Sequence, residues 1–143
     1  MEIRELSPSF FISTQLTKES ILLAKKAGFT HIVCNRPAQE SSPEEKPDII
    51  QNAAEGANLV FQYIPFDPSS LTTKGLLNLG NNDSHKVLAY CTSGTRSAVM
   101  WAFEMAGEIP TKVILSQIES VGISISHLET QLENLATKRI SEG

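Results

Sequence analysis

The chain has 143 residues, 41% of them hydrophobic and 20% charged, and a formal net charge of −4. That size suits a single domain spanning 1–143 with one substantial core, and the acidic balance offers nucleic acid no overall attraction. No apolar run reaches the roughly 20 residues of a membrane span. "MEIRELSPSF" also lacks the basic-then-apolar pattern of a secretory signal, so neither membrane nor export is expected.

The first elements are short. "IREL" and "FFIST", joined by the turn-like "SPS", predict a β-hairpin. Thr17 reads as the N-cap of a helix whose apolar stripe is Ile21, Leu22, Ala24 and Ala27, and Gly28 stops it. "THIVCN" is a buried strand, "RPAQESSPEEKP" a polar surface loop carrying a solvated Glu44–Glu45 patch, and "DIIQNAAEGA" a short helix. "NLVFQYIPF" is a strand stopped by Pro65, "LTTKGLLNLG" a weaker helix, and "KVLAYC" the next buried strand. Three helices follow, in "RSAVMWAFEMAG", "PTKVILSQIESVG" and "SISHLETQLENLATK"; Pro110 fits a first helical turn, and Leu128, Leu132 and Leu135 share a core-facing stripe. Strands alternating with helices predict an α/β domain with a central, mainly parallel sheet flanked by helices. Ligands of such sheets bind outside the carboxyl ends of the strands. "CNRP", "PFDP" and "CTSGTRS" fall at that edge.

The two cysteines, Cys34 and Cys91, do not make a disulfide scaffold, and a reducing cytoplasm is the expected compartment. His31, His85 and His127 show no ligand spacing with the thiols, so neither metal nor cofactor is expected. Cys34 sits inside an apolar run and reads as core, with a resolving thiol as its one functional alternative. Cys91 is different. It ends a strand, Gly94 follows three residues on, Arg96 five on, and Ser97 next. Gly94 permits a tight curl. The backbone N–H groups of Thr92, Ser93, Gly94, Thr95, Arg96 and Ser97 could then point inward as an anion nest. The following helix adds positive potential, which favours a Cys91 thiolate. Arg96 supplies a planar fork for two oxygens of an oxyanion. The Ser97 hydroxyl is placed to bond the thiolate or to cap the helix.

"CTSGTRS" resembles two signatures. Tyrosine and dual-specificity phosphatases have a His-Cys pair, five residues, Arg, then Ser or Thr. Rhodanese sulfurtransferases have four residues after the cysteine. This chain has four, and Tyr90 stands where phosphatases have histidine. Over about Phe11 to Ala106, "ISTQLT", "GFTHIVCNRP", "YIPF" and "VLAYCTSGTRSAVMWA" resemble the β-lactamase-hydrolase-like, phosphatase-like domain family, found alone or fused to a sulfur-oxidising domain. The resemblance implies a dual-specificity-phosphatase-like fold, with Cys91 and Arg96 in the active site. It also ties Asn35 and Arg36, with Pro37, to the same pocket. Ala38 stands where the family usually has an acidic residue.

Three functions fit these residues. In sulfur transfer, Cys91 takes the outer sulfur of thiosulfate or a persulfide and passes it to an acceptor thiol, with a sulfur-oxidising enzyme as partner; loop length and Tyr90 favour this reading. In phosphomonoester hydrolysis, Cys91 attacks phosphorus and an acid protonates the leaving oxygen. Asp67, otherwise a turn residue before Pro68, is then the acid. The third reading is a non-catalytic module that senses an anion or a partner. Sulfur transfer is preferred and phosphate-ester hydrolysis is the alternative.

Overall fold

The computed structural model describes residues 1–65 and 84–142. Asp67 and the helix expected in "LTTKGLLNLG" lie outside the described residues. The hairpin forms as expected: β1 (Ile3–Ser7) pairs antiparallel with β2 (Phe10–Ser13), setting Ile3 opposite Ser13 and Arg4 opposite Ile12. β3 (His31–Cys34), β4 (Val60–Tyr63) and β5 (Val87–Tyr90) complete a five-stranded sheet of order β1-β2-β5-β3-β4, parallel from β2 onward.

β3 and β5 lie inside the sheet and are buried along their whole length, which is why each reads as a continuous apolar run rather than an alternating one. Side chains along them still alternate between faces. Val33, Val87 and Ala89 join one core cluster with α3 (Thr95–Met105), α4 (Thr111–Ser120) and α5 (Glu129–Glu142). Ile32, Cys34, Leu88 and Tyr90 join the other, with α1 (Lys18–Lys26) and α2 (Pro47–Gly56). The result is a sheet with helices on both faces.

α3 is buried continuously from Ser97 to Glu104, so the helix that follows the cysteine loop is fixed within the core. Its C-terminal end is held by Arg139 of α5, which donates to the carbonyls of Phe103 and Ala106. Leu132 and Leu135 are buried as the leucine stripe requires, and Leu128 packs against them partly buried. Three details differ from expectation. The polar loop after β3 is built on two 3₁₀ turns, Ala38–Glu40 and Pro43–Glu45. Its Glu45 is held by Arg36 at 3.5 Å rather than freely solvated. Pro110 takes the N-cap position of α4 instead of its first turn.

Thr17 caps α1 as a capping box: the Ser20 N–H donates to Thr17 Oγ1 at 3.3 Å, and the Thr17 N–H donates to Ser20 Oγ at 2.7 Å. Thr17→Ala removes half of the box. We expect it to destabilise the fold by about 1 kcal/mol, read as a lower urea midpoint with an unchanged slope.

Candidate active site

β5 ends at Tyr90, and Cys91 is the first residue beyond it, at the carboxyl edge of the sheet. The chain then has to turn into α3 within four residues. Gly94 makes this possible by taking φ +93°, and it stands as the N-cap of the helix. The turn folds the Gly94 N–H back onto Cys91, donating to Sγ at 3.1 Å. Thr92, Ser93 and Thr95 are exposed on the rim, whereas Cys91, Gly94 and Ser97 are buried. The Thr95 N–H is occupied by Ser93 Oγ at 3.4 Å, so among the described hydrogen bonds Gly94 alone brings a loop amide to the sulfur.

Ser97 takes neither expected role. Its hydroxyl donates to Asn35 Oδ1 at 2.8 Å, deep in the structure, with both residues at 0% exposure. Asn35 in turn donates through Nδ2 to the Ile64 carbonyl (2.9 Å) and Met100 Sδ (3.0 Å), and through its backbone N–H to the Tyr90 carbonyl (2.8 Å). Asn35 therefore sits behind the loop as a bracket joining the ends of β3, β4 and β5 to α3. Arg36 also sits as a brace. It donates to Gln15 Oε1 (2.8 Å) and the Glu40 carbonyl (2.6 Å), besides its ion pair with Glu45.

Arg96 lies at the mouth. Its Nη2 donates to Glu40 Oε1 at 2.8 Å, its Nη1 to Glu40 Oε2 at 3.1 Å, and Nη2 also reaches Thr92 Oγ1 at 3.4 Å. The Arg96 hydrogen bonds hold the Glu40 carboxyl below the usual carboxylate range, helped by the Arg96 and Arg36 charges. Reciprocally, Glu40 raises Arg96 above its ordinary value, with the Cys91 sulfur a smaller contributor. Burial pushes the Cys34 thiol up, and Tyr90 is likewise raised by burial. The Tyr90 hydroxyl lies beside Cys34 and Gln15 yet makes no hydrogen bond of good geometry among the described residues.

Two residues escaped the sequence reading. Glu40 supplies a carboxylate two positions beyond Ala38, in a turn that local pattern did not reveal. Arg4 reaches the loop from β1, donating to the Ser93 carbonyl (2.9 Å) and the Val121 carbonyl (2.7 Å). Its position follows from the antiparallel hairpin, which returns the start of β1 to the carboxyl edge of β2. Among the described residues, no group of three or more His, Cys, Asp or Glu is arranged to hold a metal. No helix there is long and apolar enough to cross a membrane.

Two substitutions probe this geometry. A Cβ on Gly94 would lie 3.0 Å from Arg4 Nη2, in a backbone conformation that costs an L-residue roughly 1–2 kcal/mol. Gly94→Ala is expected to loosen the loop and to lower Cys91 reactivity toward an anionic alkylating agent such as iodoacetate. Ser97→Ala leaves Asn35 Oδ1 buried without its donor. It should cost about 1–3 kcal/mol in denaturant unfolding.

Similarity to known proteins follows the same outline. A Neisseria meningitidis structure described as a phosphatase candidate superposes with a TM-score of 0.70 at 24% identity, covering 92% of this chain and 96% of that one. The core catalytic domain of the PP-IP phosphatase SIW14 from S. cerevisiae, solved with citrate, superposes at 0.61 with 14% identity, covering 98% of this chain and 90% of that one. The P. aeruginosa TpbA structure superposes at 0.59 with 10% identity, over 95% of this chain and 89% of that one. These likenesses establish a dual-specificity-phosphatase-like fold. Two Xylella fastidiosa proteins described as beta-lactamase hydrolase-like are also similar in sequence. The one from strain Temecula1 is 24% identical over 85% of this chain, and the one from strain 9a5c is 25% identical over 99%. The chain spans only 28% and 34% of their respective lengths. The profile of the family described as "Beta-lactamase hydrolase-like protein, phosphatase-like domain" matches residues 2–108, and the chain belongs to that family.

Proposed function

We propose that the chain is a cysteine-dependent hydrolase of small phosphomonoesters, with Cys91 as nucleophile. The observation that carries the reading is the Gly94 N–H folded onto Cys91 Sγ at 3.1 Å, at the start of a buried helix and five residues before the Arg96 fork. The amide and the helix N-terminus both face the sulfur that would attack. Attack of the sulfur on phosphorus forms an S–P bond, breaks the P–O bond to the leaving group, and leaves a cysteinyl-phosphate for water to hydrolyse. Arg96 and loop amides would balance the charge on the non-bridging oxygens. Asp67 is retained as the acid for the leaving oxygen, on its sequence position after β4. Thr92, Ser93 and Thr95 would line the rim where substrate enters.

This reverses the preference for sulfur transfer that loop length gave in the sequence. The phosphatase-like family and the phosphatase descriptions of the similar structures favour the phosphoester; nothing comparable supports a sulfur donor or a sulfur-oxidising partner. Sulfur transfer remains the second reading on one observation, the four residues between Cys91 and Arg96 instead of five.

The two chemistries separate in parallel assays of aryl-phosphate hydrolysis and thiosulfate-to-cyanide transfer. We expect aryl-phosphate turnover that Cys91→Ser abolishes. Asp67→Asn should lower it by about 10²–10⁴-fold, the range of general acid catalysis. Transfer to cyanide without phosphate hydrolysis in the wild type would install the second reading. Neither activity, with intact anion binding, would leave the sensing module.

A further inference from the structure

Arg96 already grips an anion. Its two terminal nitrogens meet the two oxygens of Glu40 at 2.8 and 3.1 Å, the parallel arrangement by which a guanidinium holds a carboxylate or phosphate. Glu40 comes from 56 residues earlier in the chain, so the pair is a product of the fold. Both partners are partly exposed at the mouth, with side-chain exposures of 26% for Arg96 and 45% for Glu40.

The turn carrying Glu40 is fixed at several points. Arg36 holds the Glu40 carbonyl at 2.6 Å. Lys46 Nζ donates to the Ala38 carbonyl at 2.8 Å, and the Ala38 N–H donates to the Tyr63 hydroxyl at 2.8 Å. The carboxylate is thus presented to Arg96 from a braced backbone, with its Oε1 also 4.0 Å from Arg36 Nε and its side chain 45% exposed.

We propose that Glu40 is a positioning residue of the anion site: it holds the Arg96 fork while the loop is empty and gives it up to the incoming oxyanion. The proposal rests on the reading of the Cys91 loop as an oxyanion pocket. Two N–H groups of one guanidinium edge cannot serve Glu40 and a substrate phosphate bidentately at once. An oxyanion that takes this edge, rather than the Nε side of the guanidinium, therefore exchanges with Glu40. The carboxylate keeps the fork oriented, and it lowers the affinity of every anion that must displace it. A dianionic phosphoester can meet that cost, because its second charge also faces the Gly94 amide and the start of α3.

The test is phosphate binding rather than turnover. Inorganic phosphate is titrated calorimetrically, at fixed ionic strength, into Cys91→Ser protein and into the same protein carrying Glu40→Gln, Arg96→Ala or both. Glutamine keeps the shape of Glu40 but surrenders its hold on the fork. Glu40→Gln is expected to tighten phosphate binding about three- to tenfold, and to have no such effect once Arg96 is alanine. A purely structural Glu40 would give the opposite sign, since losing a brace weakens binding. Unchanged or weaker binding in Glu40→Gln overturns the proposal while leaving the oxyanion pocket intact. Equal tightening with and without Arg96 also overturns it, because it reports simple charge repulsion. Failure of phosphate to bind the parent protein overturns both the exchange and the pocket reading beneath it.

Discussion

The hydrogen bond from Ser97 to Asn35 holds the site in one geometry. Both residues are fully buried, and polar groups inside a protein must find partners or forfeit their hydration. Asn35 meets that demand completely, through Ser97, the Ile64 carbonyl and Met100 Sδ, with its N–H on the Tyr90 carbonyl. The first turn of α3 is thereby clamped to the ends of β3, β4 and β5. Arg96 precedes Ser97 directly, and Cys91 follows Tyr90 directly. The clamp therefore fixes both ends of the loop, and the intervening residues only have to close the gap. A loop held this way needs little reorganisation when charge develops on a bound oxyanion.

What the sequence made legible was what local pattern can carry. The apolar runs "HIVC" and "VLAY" are strands because both their faces are covered, and Thr17 and Gly28 bracket α1 by capping chemistry that acts within one turn. The strand-Cys, Gly, Arg, Ser spacing located the loop and the helix after it. The pairings inside the site were not legible. Ser97 finds Asn35 across 62 positions, Arg96 finds Glu40 across 56, and Arg4 finds Ser93 across 89. Such contacts are decided by strand order, and a sheet ordered β1-β2-β5-β3-β4 brings together segments that are far apart in the chain. Glu40 was missed for a second reason. The loop after β3 is polar throughout, and polarity alone does not separate a carboxylate paired with an arginine from one in water.

The contrast between the two cysteines follows from the pleat. Cys34 stands opposite Tyr90 in register, and both belong to the core facing α1 and α2. Cys91 comes one residue later, where the strand has ended and the chain is free to curl. Both cysteines are 1% exposed, but one position later the chain has left the strand and a backbone N–H is aimed at the sulfur. The same alternation explains Tyr90. The residue just before Cys91 points away from the loop and into the core facing α1 and α2.

Three arginines converge on this edge of an acidic protein, and their partners divide them. Arg4 is held by two backbone carbonyls. Arg36 is held by a carbonyl, a glutamine and Glu45. The backbone partners of Arg4 are part of the fold and cannot be exchanged without distorting it, whereas Arg36 spreads over one carbonyl and the side chains of Gln15, Glu40 and Glu45, so both brace loops. Arg96 is held chiefly by the partly exposed side chain of Glu40. An exposed pair of this kind adds little to stability, so its consequence lies in how the fork is presented. A net charge of −4 gives no long-range pull on an anion. The attraction must come from groups within a few ångströms: the Gly94 amide, the start of α3 and the guanidinium of Arg96. Forces of that range act after an anion has reached the mouth. On the proposed phosphoester reading, the loop would hold and orient a small oxyanion at Cys91 through these short-range groups alone.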